Sequence, residues 1–249
     1  MCCFSGKVEL VADTNIFARA SKGNRQFLVY SMRFKAADDL AMILPLPVPK
    51  ATKDDAVTFI NLEKYPTFFD DMYNGFPKPV YKSDPNAKSA REAKFEAPPL
   101  KVVEVGSFVA SFVPAVKDFA RLDERFRLPA DLWDKLPQYK NSGFAVFQLK
   151  KGEKKVHPMA FEFPRANPRQ LFFPTVHIHD GSVPERAFFD HTLYCQASDT
   201  IDVSAWEESP QPAEMFMTRL DKAEGIVDDK GHCYKRTMRG RYPNTDVTV

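Results

Sequence analysis

Three of the five histidines in this 249-residue chain fall in one short stretch, Leu171 to Cys195, which reads LFFPTVHIHDGSVPERAFFDHTLYC. Successive strand side chains alternate between faces, so His177 and His179, two apart, project from one side and can share a ligand. Phe172, Phe173, Val176 and Ile178 favour strand, Asp180-Gly181-Ser182 with Pro184 is turn chemistry, and Phe188 to Tyr194 returns to aromatic strand residues. The pattern predicts a hairpin whose register sets His177 opposite His191, with Cys195 farther along the same face. Three imidazoles would then converge. A slip of one residue would send His191 to the other face, and the competing reading is an ordinary strand whose histidines merely pack.

Imidazole is a ligand that zinc and copper both accept, and three protein ligands leave a coordination position open. His177, His179 and His191 are therefore the expected metal ligands. With zinc, the open position would hold a water acidified to a pKa of about 7, a hydroxide nucleophile. With copper it would serve redox chemistry. Asp180 and Asp190 each adjoin a histidine but point to the opposite strand face, so general-base work by either requires a bend at the turn. His157, before Pro158 in the neighbouring strand, is a fourth candidate ligand or an acid or base. The run His177-Ile178-His179-Asp180 begins like the metallo-β-lactamase motif, but Gly181 and Ser182 stand where that motif has Asp-His, which argues against that family.

The beginning of the chain offers a different chemistry. Removal of Met1 would leave Cys2 with a free α-amino group of pKa about 7.7 to 8.0, able to act as base for its own thiol. That is the arrangement of an N-terminal-nucleophile amidohydrolase. The bland reading of Cys2 and Cys3 is a thiol pair in a frayed terminus.

The elements that would position these groups are mostly strands. Glu9 to Ala18, Gln26 to Phe34 and Leu40 to Leu46 read as a meander, and Pro45, Pro47 and Pro49 push the third toward an edge, because proline has no amide to donate. Thr52 begins a helical rhythm through Ala56, Phe59, Ile60 and Glu63, ending near Tyr65-Pro66, with another turn or two from Thr67 to Tyr73. Residues 77–99 are polar and proline-bearing, and read as a long surface loop or insertion. Val102 to Val113 is strand, Ala115 to Phe126 helix, and Ala130 to Tyr139 a shorter helix broken at Pro137. Phe144 to Lys150 and Val156 to Phe163 read as a hairpin about Lys151-Gly152-Glu153. A short helical piece over Ala213 to Leu220 and a strand from Cys233 to Met238 close the pattern. The expected fold is α+β: one strand-dominated domain over 1–249, mostly antiparallel, with a few covering helices.

Several segments in order resemble an uncharacterised bacterial family, domain of unknown function 2330. They are Cys2-Cys3, the run Asp39 to Pro49, Val103-Glu104-Val105-Gly106, and Tyr139 through Gly143-Phe144-Ala145-Val146. The resemblance spans roughly Cys2 to Phe163 and implies no activity. Members of that family are commonly exported.

Composition narrows the classes. Positive and negative residues nearly cancel, 35 against 33, so no whole-molecule field holds a polyanion and nucleic acid is not an expected partner. Lys235, Arg236, Arg239 and Arg241 read as a solvated strand face. The 44% hydrophobic content is that of a globular protein, and no apolar run reaches the roughly 18 to 20 residues that cross a bilayer. No secretory signal is visible at MCCFSG, which points to the cytoplasm, and four scattered cysteines do not make a disulfide framework. The function these features favour is a metal-dependent hydrolase with zinc, or copper, acting on a small-molecule substrate. The alternatives are the Cys2-nucleophile amidohydrolase, a copper-dependent oxidoreductase and a non-enzymatic binding module whose histidines pack. Oligomeric state is left open.

Overall fold

The computed structural model describes residues 2–77, 103–105, 108–128, 130–155, 157–178, 181–198 and 200–249. The strands are β1 (Cys2–Phe4), β2 (Leu10–Ser21), β3 (Arg25–Ala36), β4 (Leu40–Leu46), β5 (Thr58–Asn61), β6 (Val103–Val105), β7 (Phe108–Val113), β8 (Gly143–Leu149) and β9 (Gly152–Lys155). They continue with β10 (Met159–Pro164), β11 (Phe172–Phe173), β12 (His177–Ile178), β13 (Arg186–Gln196), β14 (Glu207–Glu208), β15 (Tyr234–Pro243) and β16 (Val247–Thr248). Two short helices accompany them, α1 (Phe68–Asn74) and α2 (Ala130–Asp134).

A six-stranded sheet runs β12-β1-β4-β8-β7-β6, and an eight-stranded one β14-β15-β13-β2-β3-β10-β5 with β9 also on β3. The strand-dominated expectation holds, with one correction. Both sheets are mixed rather than mostly antiparallel, because β1 lies parallel to β12 and β13 parallel to β2.

One core joins the sheets. Met42, Leu44 and Phe147 of the first face Ile16, Leu28, Phe161 and Leu193 of the second, and the Phe147 and Phe161 rings are 5.9 Å apart. The eight-stranded sheet is apolar on its other face too, where Phe17, Val29, Ala160 and Tyr194 lie under Phe68, Phe69 and Met72 of α1. Burial on both faces is why β3 and β4 read as continuous apolar runs instead of alternating ones.

Several local expectations change for physical reasons. The helical rhythm after Thr52 yields to strand: Thr58 to Asn61 pairs with β10, so the partner strand overrides a weak local period. The β4 proline is not at a sheet edge. Pro45 is paired to Phe144 on one side, while the β1 pairing on the other is with Met42 and Ile43, so among the described residues no strand partner stands opposite the missing amide. The stretch Ala115 to Phe126 forms two 3₁₀ turns, Val116–Arg121 and Glu124–Phe126, in place of one helix. The expected hairpin about Gly152 is a crossover, since β8 belongs to the six-stranded sheet whereas β9 and β10 pair with β3 in the other. Of the surface loop expected over 77–99, all but Pro77 lies outside the described residues.

Candidate functional site

The histidine stretch does not fold back on itself. His177 and Ile178 form β12, parallel to Cys2 and Cys3 of β1, whereas His191 sits in β13 between β15 and β2. What holds the first arm away is the end of the chain. Asn244 accepts from the His177 amide at 2.7 Å and donates to the His177 and Pro184 carbonyls at 3.0 Å each, and Asp246 Oδ1 accepts from the amides of Thr175 and Val176. Asn244 and Asp246 act on residues some 70 positions earlier, and no local signal in the sequence marks them.

The two histidines nevertheless meet, across the space between the sheets. Their ring centroids are 4.9 Å apart, both residues are buried, and Phe189 packs on each at 4.6 and 5.2 Å with Tyr242 behind it at 5.7 Å. The surroundings are aromatic. His179 and Asp180 lie outside the described residues. Asp190 is on the other face of β13, where it accepts from the Asp13 amide at 3.2 Å and pairs with Arg239 at 3.3 Å, beside a cavity of about 300 Å³ under Phe69 and Tyr73. His157 stands elsewhere, its Nδ1 3.2 Å from the Pro158 carbonyl, and burial lowers its pKa. Among the described residues, no group of three His, Cys, Asp or Glu side chains is placed to hold a metal ion.

Three of the cysteines are sequestered. Cys2 lies in β1, and Cys3, Cys195 and Cys233 are buried thiols outside any disulfide. Burial pushes the thiol of Cys195 far up and that of Cys233 up to about 12. A thiol so protonated is neither a nucleophile nor a ready metal ligand at neutral pH. Treatment of the folded protein with Ellman's reagent at pH 8 is expected to modify at most one of its four cysteines, and all four in guanidinium chloride. Rapid modification of two or more in the folded state would contradict this burial.

A second buried acid bears on pH. Burial raises the pKa of Asp246 against the pull of its three donors, the Tyr139 hydroxyl at 2.6 Å and the amides of Thr175 and Val176. A raised folded pKa means that the folded chain holds this proton after the unfolded chain has lost it. The contribution is therefore present below the ordinary carboxylate value and is lost as pH rises through the folded pKa. Asp246→Asn keeps an acceptor for the two amides and removes that loss. Its melting temperature, relative to the parent, is expected to rise progressively as pH increases from 4 toward neutrality. A constant difference across that range would refute the shift.

No family model matches the chain, and no curated protein does. Solved structures do match, over almost the whole length in both directions. The chain shares the fold of baculovirus P35. Against the crystal structure of P35 the TM-score is 0.51 at 12% identity, covering 97% of this chain and 96% of that one. Against the caspase-8/P35 complex it is 0.52 at 11%, covering 95% of each. P35 has thus been captured in a complex with caspase-8, and a mutated P35 has been seen after caspase cleavage, with a TM-score of 0.50 to this chain.

These findings overturn the metal-hydrolase reading. The described residues lack a three-ligand group, and the fold the chain shares is that of P35, a protein solved in a complex with caspase-8. The expectation of a small-molecule substrate is corrected as well, since the partner seen with P35 is a protein. Among the described residues, no helix is long and apolar enough to cross a membrane.

Proposed function

We propose that this chain is a non-enzymatic binding module whose partner is a caspase. The end-to-end likeness to P35 supports the reading, because a protein both cut by a protease and caught in a complex with it engages that protease as a substrate would. The chemistry of the protein is in keeping with such a role. His177 and His191 pack against an aromatic ring, and the thiols of Cys195 and Cys233 are buried and held protonated. The resemblance to domain of unknown function 2330 implies no activity and adds nothing to this reading.

The test is direct. The purified chain, preincubated in tenfold excess with recombinant caspase-8, is expected to co-elute with it on size exclusion and to reduce its hydrolysis of a fluorogenic peptide by at least about tenfold. Independent elution with undiminished hydrolysis would refute the proposal for that caspase, and the same outcome across a caspase panel would refute it outright.

A further inference from the structure

The eight-stranded sheet ends at β15, and β14 covers only the beginning of its outer side. Glu207 stands opposite Lys235 and Glu208 opposite Tyr234, and the Ser209 amide donates to the Cys233 carbonyl at 2.8 Å. The Cys233 amide in turn donates to Ser209 Oγ at 3.0 Å. Both backbone groups of Cys233 therefore face outward, and the two-residue period of a strand turns those of Lys235, Thr237 and Arg239 the same way. β14 does not reach Thr237, because the chain turns away at Trp206, whose amide donates to the Val203 carbonyl. Beyond Lys235, no strand among the described residues lies beside this edge.

The charge along the edge is one-sided. The chain's own occupant of the covered part is acidic, and Glu207 pairs with the Lys235 ammonium at 2.8 Å. The uncovered part carries Arg236, Arg239 and Arg241, all exposed. Asp190 is 3.3 Å from Arg239, but among the described residues no carboxylate pairs with Arg236 or Arg241. Phe188, 69% exposed, stands opposite Arg241 in the register and adds an apolar contact.

We propose that the edge from Arg236 to Arg239 is a docking site for an extended acidic segment of a partner protein. The segment adds as the next strand of the sheet, in line with the acidic pair that the chain already lays there. Backbone hydrogen bonds to Thr237 and Arg239 give affinity, and Arg236 and Arg241 select for carboxylates. Gly240, at φ +115°, twists the strand and limits the regular run, leaving Arg241 to meet the end of the ligand. A second copy of the chain is a poor occupant, because pairing two such edges sets arginines against arginines.

The probe is a fluorescein-labelled eight-residue peptide of repeating Glu-Glu-Val-Val, which sets glutamates on both faces of an added strand, titrated by anisotropy at low ionic strength against the whole chain. Saturable binding is expected, weakened at least about tenfold by methylating alternate peptide nitrogens, which keeps the charge but removes donors. Arg236→Glu with Arg241→Glu is expected to abolish it. Thr237→Pro is expected to weaken it about as much as methylation while leaving the circular dichroism unchanged, since proline is tolerated where an edge amide faces outward. Should that variant misfold, slowed amide exchange at Thr237 and Arg239 of the parent on peptide binding is the same test, and unchanged exchange overturns the proposal. Equal binding of the methylated peptide would reduce the site to charge attraction. Absence of binding would leave the arginines only as guards of the edge. Either result overturns the proposal, and neither touches the caspase reading.

Discussion

Replacing Asp71 by alanine is expected to destabilise the protein by about 3 to 5 kcal/mol, since it strands three buried donors at about 1 to 3 kcal/mol each, less what local relaxation recovers. Asp71 is 7% exposed, and its Oδ2 accepts from the Tyr65 hydroxyl at 2.8 Å, the Thr218 amide at 3.0 Å and the Thr218 hydroxyl at 2.5 Å. The Arg219 amide donates to Tyr65 Oη at 3.4 Å and extends the network. One oxygen thus ties α1 to a segment almost 150 residues later. Alanine leaves those donors without an acceptor in a place water cannot easily reach. Asp71→Asn retains an oxygen in that position and loses only the charge, so its cost should be about 1 to 2 kcal/mol. Urea denaturation of both variants checks the pair of values. Equal effects would mean that charge and not the shared acceptor holds the segment.

A loss of similar size is expected for Phe161→Ala. Phe161 is wholly buried where the sheets face each other, with Phe147 at 5.9 Å and Phe59 and Phe163 each at 6.1 Å. Truncation forfeits the transfer energy of the ring and opens a cavity that surrounding strands cannot close, about 3 to 5 kcal/mol in sum. Phe188→Ala supplies the contrast. It removes a ring of the same size that is 69% exposed, and its effect should stay within about 0.5 kcal/mol. Calorimetry on the two variants measures the difference, and a small loss for Phe161→Ala would mean that the sheets repack.

Much of the strand content was legible because it is written locally. Leu40 to Leu46 was expected and found with the same limits, and β2, β3 and β10 differ from their expected spans by a few residues at the ends, whereas the single strand expected over Val102 to Val113 is an antiparallel pair, β6 and β7. β-Branched and aromatic runs bounded by turn residues suffice for that. Expectations failed where a distant strand decides. Thr58 to Asn61 carries a helical spacing, yet β10 beside it makes it strand. Gly152 sits between two strand-forming runs, yet each run has a better partner in a different sheet.

The histidine stretch shows the division most clearly. The sequence by itself determined that His177 and His191 lie in separate strands and that Asp190 must face away from His191, because alternation along a strand is a local property. Only the tertiary structure decided that the arms belong to different sheets, that Asn244 and Asp246 hold the first arm, and that the imidazoles meet through an aromatic core. The physical reason is that strand pairing is settled between residues far apart in the chain. Local periodicity states which face a side chain takes, but not what that face will be packed against.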